Sequence, residues 1–211
     1  MEPGARGSFC VQCQARPRAY ERCHAAYDYA FPVDHLIRAL KYRGRLALSR
    51  VLGTLLAESV VSCGLHREVD TILPVPLHPN RLVERGFNPS LEISRWTARQ
   101  LDLRLAARCV RRRRDTRPQV GLPLEQRKRN VVGAFEVPQR LSGLRIAVVD
   151  DVITTGSTAS EIALVLRRAG AVSVHVWCVC RAPAIVRREE EARCLGTETL
   201  NSALISGKVK T

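Results

Sequence analysis

The sequence predicts an α/β protein: a mostly parallel sheet flanked by helices. Three observations carry this reading. Apolar runs of strand length alternate with helix-period segments from Val69 to Val179, the order expected of a parallel sheet covered by helices. Residues 146–158 compress that pattern into one unit. Ile146–Val149 is continuously apolar and ends in two adjacent carboxylates, Asp150 and Asp151. Val152 and Ile153 follow, then the hydroxyl-and-glycine stretch Thr154-Thr155-Gly156-Ser157-Thr158. After it Ile162, Leu166 and Ala169 recur at helical spacing up to Gly170. Finally, 211 residues at 45% hydrophobic content support one well-buried domain plus an appendage, or two small ones. The chain divides on this reading into residues 1–62, a core over 63–182 and a polar, loosely ordered tail over 183–211.

The elements follow in order. The segment to about Tyr29 is polar and without a strong period; it contains Cys10-Val-Gln-Cys13, half of a structural zinc site. Val33, Leu36, Ile37 and Leu40 predict a helix over 33–43 closed by Gly44. Leu48, Val51, Leu52, Leu55 and Leu56 predict a second over 46–61. Val69–Val75 reads as a buried strand running into Pro74-Val75-Pro76-Leu77-His78-Pro79, whose prolines end the ladder and stiffen the loop. A basic stretch, Arg81 to Arg85, leads to Gly86-Phe87-Asn88. Asn88 and Pro89 form an N-cap and N1 pair for a helix to about Gln100. Leu103–Val110 is a short strand, the loop around Arg111–Gly121 is polar and cationic, Leu124–Val131 is a short basic helix, and Val172–Val179 is the last strand.

Composition limits the function classes. No stretch reaches membrane-spanning length and no signal-peptide pattern opens the chain, which points to the cytoplasm. Most of the eight cysteines lie in apolar runs, as buried free thiols in a reducing compartment do. The net charge of +14 suits nucleic acid, a membrane surface or a polyphosphate. The arginines are spread along the chain and aromatics make up only 5%, which argues against a base-stacking platform and leaves nucleic acid compatible but not required.

The 146–158 unit carries the chemistry. A helix N-terminus presents unpaired N–H groups and a positive dipole end, so it holds phosphate. Gly156 allows close backbone approach, and Thr155, Ser157 and Thr158 supply hydroxyls. Carboxylates accept hydrogen bonds from vicinal sugar hydroxyls. Diol and phosphate on one small ring describe a ribose 5-phosphate; the plainer alternative is a buried parallel strand and an ordinary capped helix. The segment resembles the phosphoribosyl-diphosphate (PRPP) motif of type I phosphoribosyltransferases.

Further blocks are similar to the ComF/GntX family: Leu40-Lys41-Tyr42-Arg43-Gly44, Pro74–Pro79 with Arg81, Glu84-Arg85-Gly86-Phe87-Asn88, Thr116-Arg117-Pro118-Gln119, Arg127 with Asn130, and Gly133-Ala134-Phe135. The resemblance covers roughly residues 17–182. It implies a type I phosphoribosyltransferase fold with a small N-terminal hood over 1–62. It also implies transfer of ribose 5-phosphate from PRPP to a nitrogen nucleophile with Mg²⁺ and release of pyrophosphate, in nucleotide salvage linked to DNA uptake and competence. Asp150 and Asp151 would hold the ribose hydroxyls and help fix the metal, and Thr154, Thr155, Gly156, Ser157 and Thr158 would hold the 5-phosphate. His78, Arg81 and Arg85 would face the pyrophosphate, while Lys41, Thr116, Arg117, Gln119 and Arg127 would close over it from hood or loop. For the arginines the alternative is a solvated cationic face, and for His78 a turn cap. The alternative function is non-catalytic PRPP or nucleotide sensing, or an accessory role in DNA uptake; a homodimer is compatible with either.

The sequence departs from the family in places. Members typically carry two Cys-x-x-Cys pairs; only Cys10 and Cys13 stand here, as though the chain starts late, so a filled zinc site is not expected. Pro89 replaces the usual Gln. Thr154 stands where purine-salvage relatives place a carboxylate, and a threonine takes no proton from a purine nitrogen at neutral pH.

Overall fold

A computed structural model describes residues 18–114 and 131–182. Its centre is a five-stranded sheet of β1 (Arg22–Asp28), β2 (Thr71–Pro74), β3 (Arg104–Leu105), β6 (Arg145–Ile153) and β7 (Ser173–Arg181), in the order β1-β7-β6-β2-β3. Every pairing within it is parallel. The helices are α1 (Val33–Arg43), α2 (Ala47–Ser62), α3 (Pro79–Arg85), α4 (Pro89–Leu101) and α5 (Ser157–Arg168). A separate antiparallel ribbon joins β4 (Arg111–Arg112) to β5 (Phe135–Glu136). The parallel sheet flanked by helices is the fold class that the sequence predicts.

Both faces of the sheet are covered, which is why its inner strands read as unbroken apolar runs. Along β6 the side chains alternate. Ala147 and Val149 join Trp177 and Val179 of β7 under α1, α2 and α4, while Ile146 and Val148 meet Ile162, Ala163 and Leu166 of α5. Trp177 and Ile162 are fully buried, each side chain worth roughly 1.5–3 kcal/mol of transfer free energy. Residues 22–62 contribute β1, α1 and α2 to the same sheet and the same apolar cluster as the strands beyond residue 63.

The helices form where their apolar period and caps direct. Val33, Ile37 and Leu40 bury one face of α1, and Gly44, at φ 61°, donates its N–H to the Ala39 carbonyl to end it. In α4 the Asn88 side chain accepts from the N–H groups of Ser90 and Leu91, and Pro89 fills the first helical position. Close packing of α2 on α4 depends on Gly53. A Cβ there would lie 2.6 Å from Trp96 Cβ and 2.7 Å from the Ile93 carbonyl oxygen, and Thr97 Oγ1 donates to the Gly53 carbonyl at 3.1 Å.

Several elements depart from the sequence pattern. The expected strand Leu103–Val110 is reduced to β3 at Arg104–Leu105, and β4 at Arg111–Arg112 begins the stretch expected as a loop around Arg111–Gly121. The stretch before Tyr29, without a strong period, contains β1, an edge strand set by its pairing with β7. The basic stretch Arg81 to Arg85 falls within α3, a short helix that buries none of its residues. The expected helix Leu124–Val131 and the tail from residue 183 lie outside the described residues, the helix all but its last residue. Cys178 and Cys180 are buried free thiols as expected, whereas Cys23 and Cys63 are exposed.

Candidate functional site

The chain leaves β2 toward β3 in one direction and β6 toward β7 in the other, so the strand order reverses between β2 and β6. Ligands of parallel sheets bind beyond the carboxyl ends of the strands at such a reversal. The loop after β2, from Val75 to His78, and the loop after β6, from Thr154 to Gly156, both emerge at this rim. Asn88 ties the neighbouring α4 to it, since its Nδ2 donates to the Val75 carbonyl at 3.0 Å.

The two carboxylates at the end of β6 stand in different environments. Asp151 is 6% exposed. It shares strand parity with Ala147 and Val149, the face that meets α1, and there Lys41 Nζ approaches its Oδ1 to 2.8 Å. The Val152 N–H also donates to that oxygen, at 2.7 Å. Asp150 accepts from Ser90 Oγ at 2.9 Å and from the Asp151 N–H at 2.9 Å, both on Oδ1. Burial first, and the neighbouring Asp151 charge second, push the Asp150 carboxyl up to about 7, against the pull of Lys41, Ser90 and the backbone N–H. Lys41 is raised: desolvation, the largest influence, works downward but is overcome by the attraction of Asp151 and Asp150. The result is one ammonium serving two carboxyls.

Beyond Ile153 the chain turns through Thr154 and Thr155 to Gly156, which caps α5 at φ 71° and brings no side-chain cap of its own. Thr155 Oγ1 accepts from the Ser157 N–H at 3.3 Å and lies 2.9 Å from Ser157 Oγ. The loop is also held from the N-terminal side. Arg18 Nη1 donates to the Thr155 carbonyl at 3.0 Å and to Ser160 Oγ at 3.3 Å. A Cβ on Gly156 would lie 3.1 Å from the Tyr20 hydroxyl and 3.2 Å from Arg18 Nη1.

The structure places the other sequence-predicted residues as follows. His78 is the N-cap of α3, its Nδ1 accepting from the Asn80 N–H at 3.3 Å. Arg81 pairs with Glu84 at 3.1 Å. Arg85 holds its guanidinium 5.9 Å from the Tyr42 ring centroid. Lys41 lies on the carboxylates rather than among these cations. Thr116, Arg117, Gln119, Arg127, Cys10 and Cys13 lie outside the described residues. Sequence reasoning missed Ser90, Arg18 and Tyr20. Ser90 carried a usable signal, since it follows the Asn88-Pro89 cap by one position; the other two sit in a stretch with no period.

The oxygens can serve hydroxyl donors or a hard cation. Each Asp commits Oδ1 to protein donors. No cluster of three or more His, Cys, Asp or Glu gathers among the described residues. A cation such as Mg²⁺, which takes one or two carboxylates and fills its other positions from substrate and water, is the kind that Asp150 and Asp151 could hold. No helix among the described residues is long and apolar enough to cross a membrane.

No family model matches the chain. Curated relatives do. The DNA utilization protein YhgH of Escherichia coli O6:H1 is 39% identical over 82% of this chain and 77% of its own length. Its namesake in Salmonella typhimurium is 38% identical over 85% and 81%. Competence protein F of Haemophilus influenzae is 32% identical over 82% and 78%. Among solved structures, the glutamine PRPP amidotransferase of B. subtilis with ADP and GMP overlaps 61% of this chain and 25% of its own. Its TM-score is 0.40 at 23% identity, an overlap too loose to bear on chemistry.

Proposed function

The chain belongs to the ComF family of competence protein F and the DNA utilization proteins YhgH, and we propose that it is a phosphoribosyltransferase that takes PRPP with Mg²⁺ and passes ribose 5-phosphate to a nitrogen nucleophile. One observation carries this reading: adjacent carboxylates with unequal environments stand at the end of β6, one turn before a glycine-capped helix N-terminus, at the strand-order reversal.

In the reaction the nitrogen lone pair attacks C1 of the ribose. The C1–O bond breaks with its electrons going to pyrophosphate, and the surplus proton passes to water or to the leaving group. Positive charge develops on the sugar ring as negative charge builds on the diphosphate. Mg²⁺, when bound, supplies a Lewis acid for the diphosphate oxygens. Asp150 and Asp151 accept from the ribose hydroxyls and lie near the developing ring cation, where their charge is favourable. Lys41 pairs with Asp151 and holds its carboxylate in place. The loop Thr154–Thr158 takes the 5-phosphate on its N–H and hydroxyl groups. Arg85, and Arg81 on release from Glu84, face the diphosphate with His78. Thr154 offers no proton acceptor for an attacking base, which favours acceptors that need none.

The relatives' names support a role in using DNA-derived material, so nucleobases and amines released from it lead the acceptor list. A second reading, PRPP sensing without turnover, draws on the Lys41–Asp151 pair, which already occupies one carboxylate oxygen. The deciding experiment incubates the protein with PRPP, Mg²⁺ and a panel of nucleobases and amines and measures pyrophosphate. Acceptor-dependent release supports transfer; binding of PRPP without release under any acceptor supports sensing; no binding overturns both.

A further inference from the structure

The carbonyl of Thr155 and the N–H of Gly156 belong to one trans peptide plane, so they point to opposite sides of it. Arg18 Nη1 holds that carbonyl at 3.0 Å and Ser160 Oγ, in the first turn of α5, at 3.3 Å. Fixing the carbonyl on the Arg18 side turns the Gly156 N–H to the other. The absent Cβ of Gly156 is what lets Arg18 and the Tyr20 hydroxyl come this close.

We infer that Arg18, braced with Tyr20 against Gly156, is a positioning residue for the 5-phosphate loop, acting through Thr155 and Ser160 rather than by touching the ligand; this rests on the reading of Thr154–Thr158 as the phosphate subsite. Electrostatics support it. Arg18 has no carboxylate partner among the described residues, and its Nε is buried without a hydrogen-bond partner. Its charge lies beside the positive end of α5, where a second cation is unfavourable. An anion on the loop reverses that sign, so the brace and the helix end together form a preorganised positive site whose cost is met only when phosphate is present. The segment that precedes β1 thereby becomes part of the ligand machinery, although no motif marks it.

The test is calorimetry on the full chain with two probes, ribose 5-phosphate and Mg²⁺-pyrophosphate, using Arg18→Ala, Arg18→Lys and Arg18→Gln. Arg18→Ala is expected to weaken ribose 5-phosphate on the order of tenfold, the scale of one hydrogen bond to a charged group. Pyrophosphate affinity should stay unchanged, and Arg18→Lys should recover part of the loss. Arg18→Gln keeps a donor for the Thr155 carbonyl without the charge and carries the test if the alanine variant fails to fold. A loss confined to ribose 5-phosphate supports the inference. Equal losses for both probes mark general damage and overturn it, as does unchanged ribose 5-phosphate affinity while the wild type binds. A wild type that binds neither probe overturns the functional reading and this inference with it.

Discussion

Lys41 Nζ stands 2.8 Å from Asp151 Oδ1, and both side chains are largely withdrawn from solvent, at 20% and 9% exposure. The pair links α1, near the start of the described chain, to the end of β6. It also leaves Asp150 without a cation of its own, held by Ser90 and a backbone N–H.

Breaking this pair on one side leaves a shielded charge unmatched. Asp151→Asn and Lys41→Met should each lower stability by about 2 kcal/mol, the usual cost discounted for partial exposure. The double variant should lose clearly less than the sum of the two. Urea unfolding of all four proteins measures the coupling; strictly additive losses would show that the pair contributes nothing as a pair.

Asp150 has the opposite expectation. Its folded carboxyl is raised to about 7, above the ordinary value near 4 of the unfolded chain. Between those values the folded state holds more protons than the unfolded one, so the fold loses stability as pH rises from about 4 to about 7. Asp150→Asn keeps the Oδ1 acceptor for Ser90 and removes the ionisation. It should match the wild type near pH 4 and exceed it at pH 8, by about 1–2 kcal/mol after discounting for relaxation. Melting curves across that range decide; a variant less stable than wild type at pH 8 would refute the assigned environment.

Ser90 donates to Asp150, the carboxyl that Lys41 does not contact directly. Ser90→Ala should raise the Asp150 carboxyl further and weaken PRPP binding at pH 7, about tenfold or less, with the deficit narrowing at higher pH as Asp150 ionises. A PRPP affinity that follows the wild type at every pH from 6 to 9 would remove Ser90 from the site.

Gly53→Ala places a methyl into the backbone and Cβ of α4. Overpacking of this kind costs about 1–3 kcal/mol. Because α4 carries Ser90 to Asp150, the variant should lose PRPP affinity as well as stability. Denaturant midpoints and calorimetry report the two effects; an unchanged midpoint would mean that α2 and α4 separate freely.

What the sequence determined by itself is what short-range physics controls. The period of α1, the Asn88-Pro89 start of α4, the Gly44 stop and the strand–acid–glycine–helix unit at Asp150–Thr158 each depend on residues within a few positions of one another. Alternation of such units is enough to imply a parallel sheet with its ligand rim at the strand ends. Tertiary structure decided the contacts whose partners lie far apart in the chain. β1 has no apolar period and exists through its ladder with β7. Lys41 reads from sequence as one more cation for a diphosphate, and only the packing of α1 across β6 sets it on Asp151. Arg18 reaches Thr155 across 137 positions. Long cationic side chains in a chain of net charge +14 can point in many directions, and burial against a particular neighbour, not local pattern, selects one.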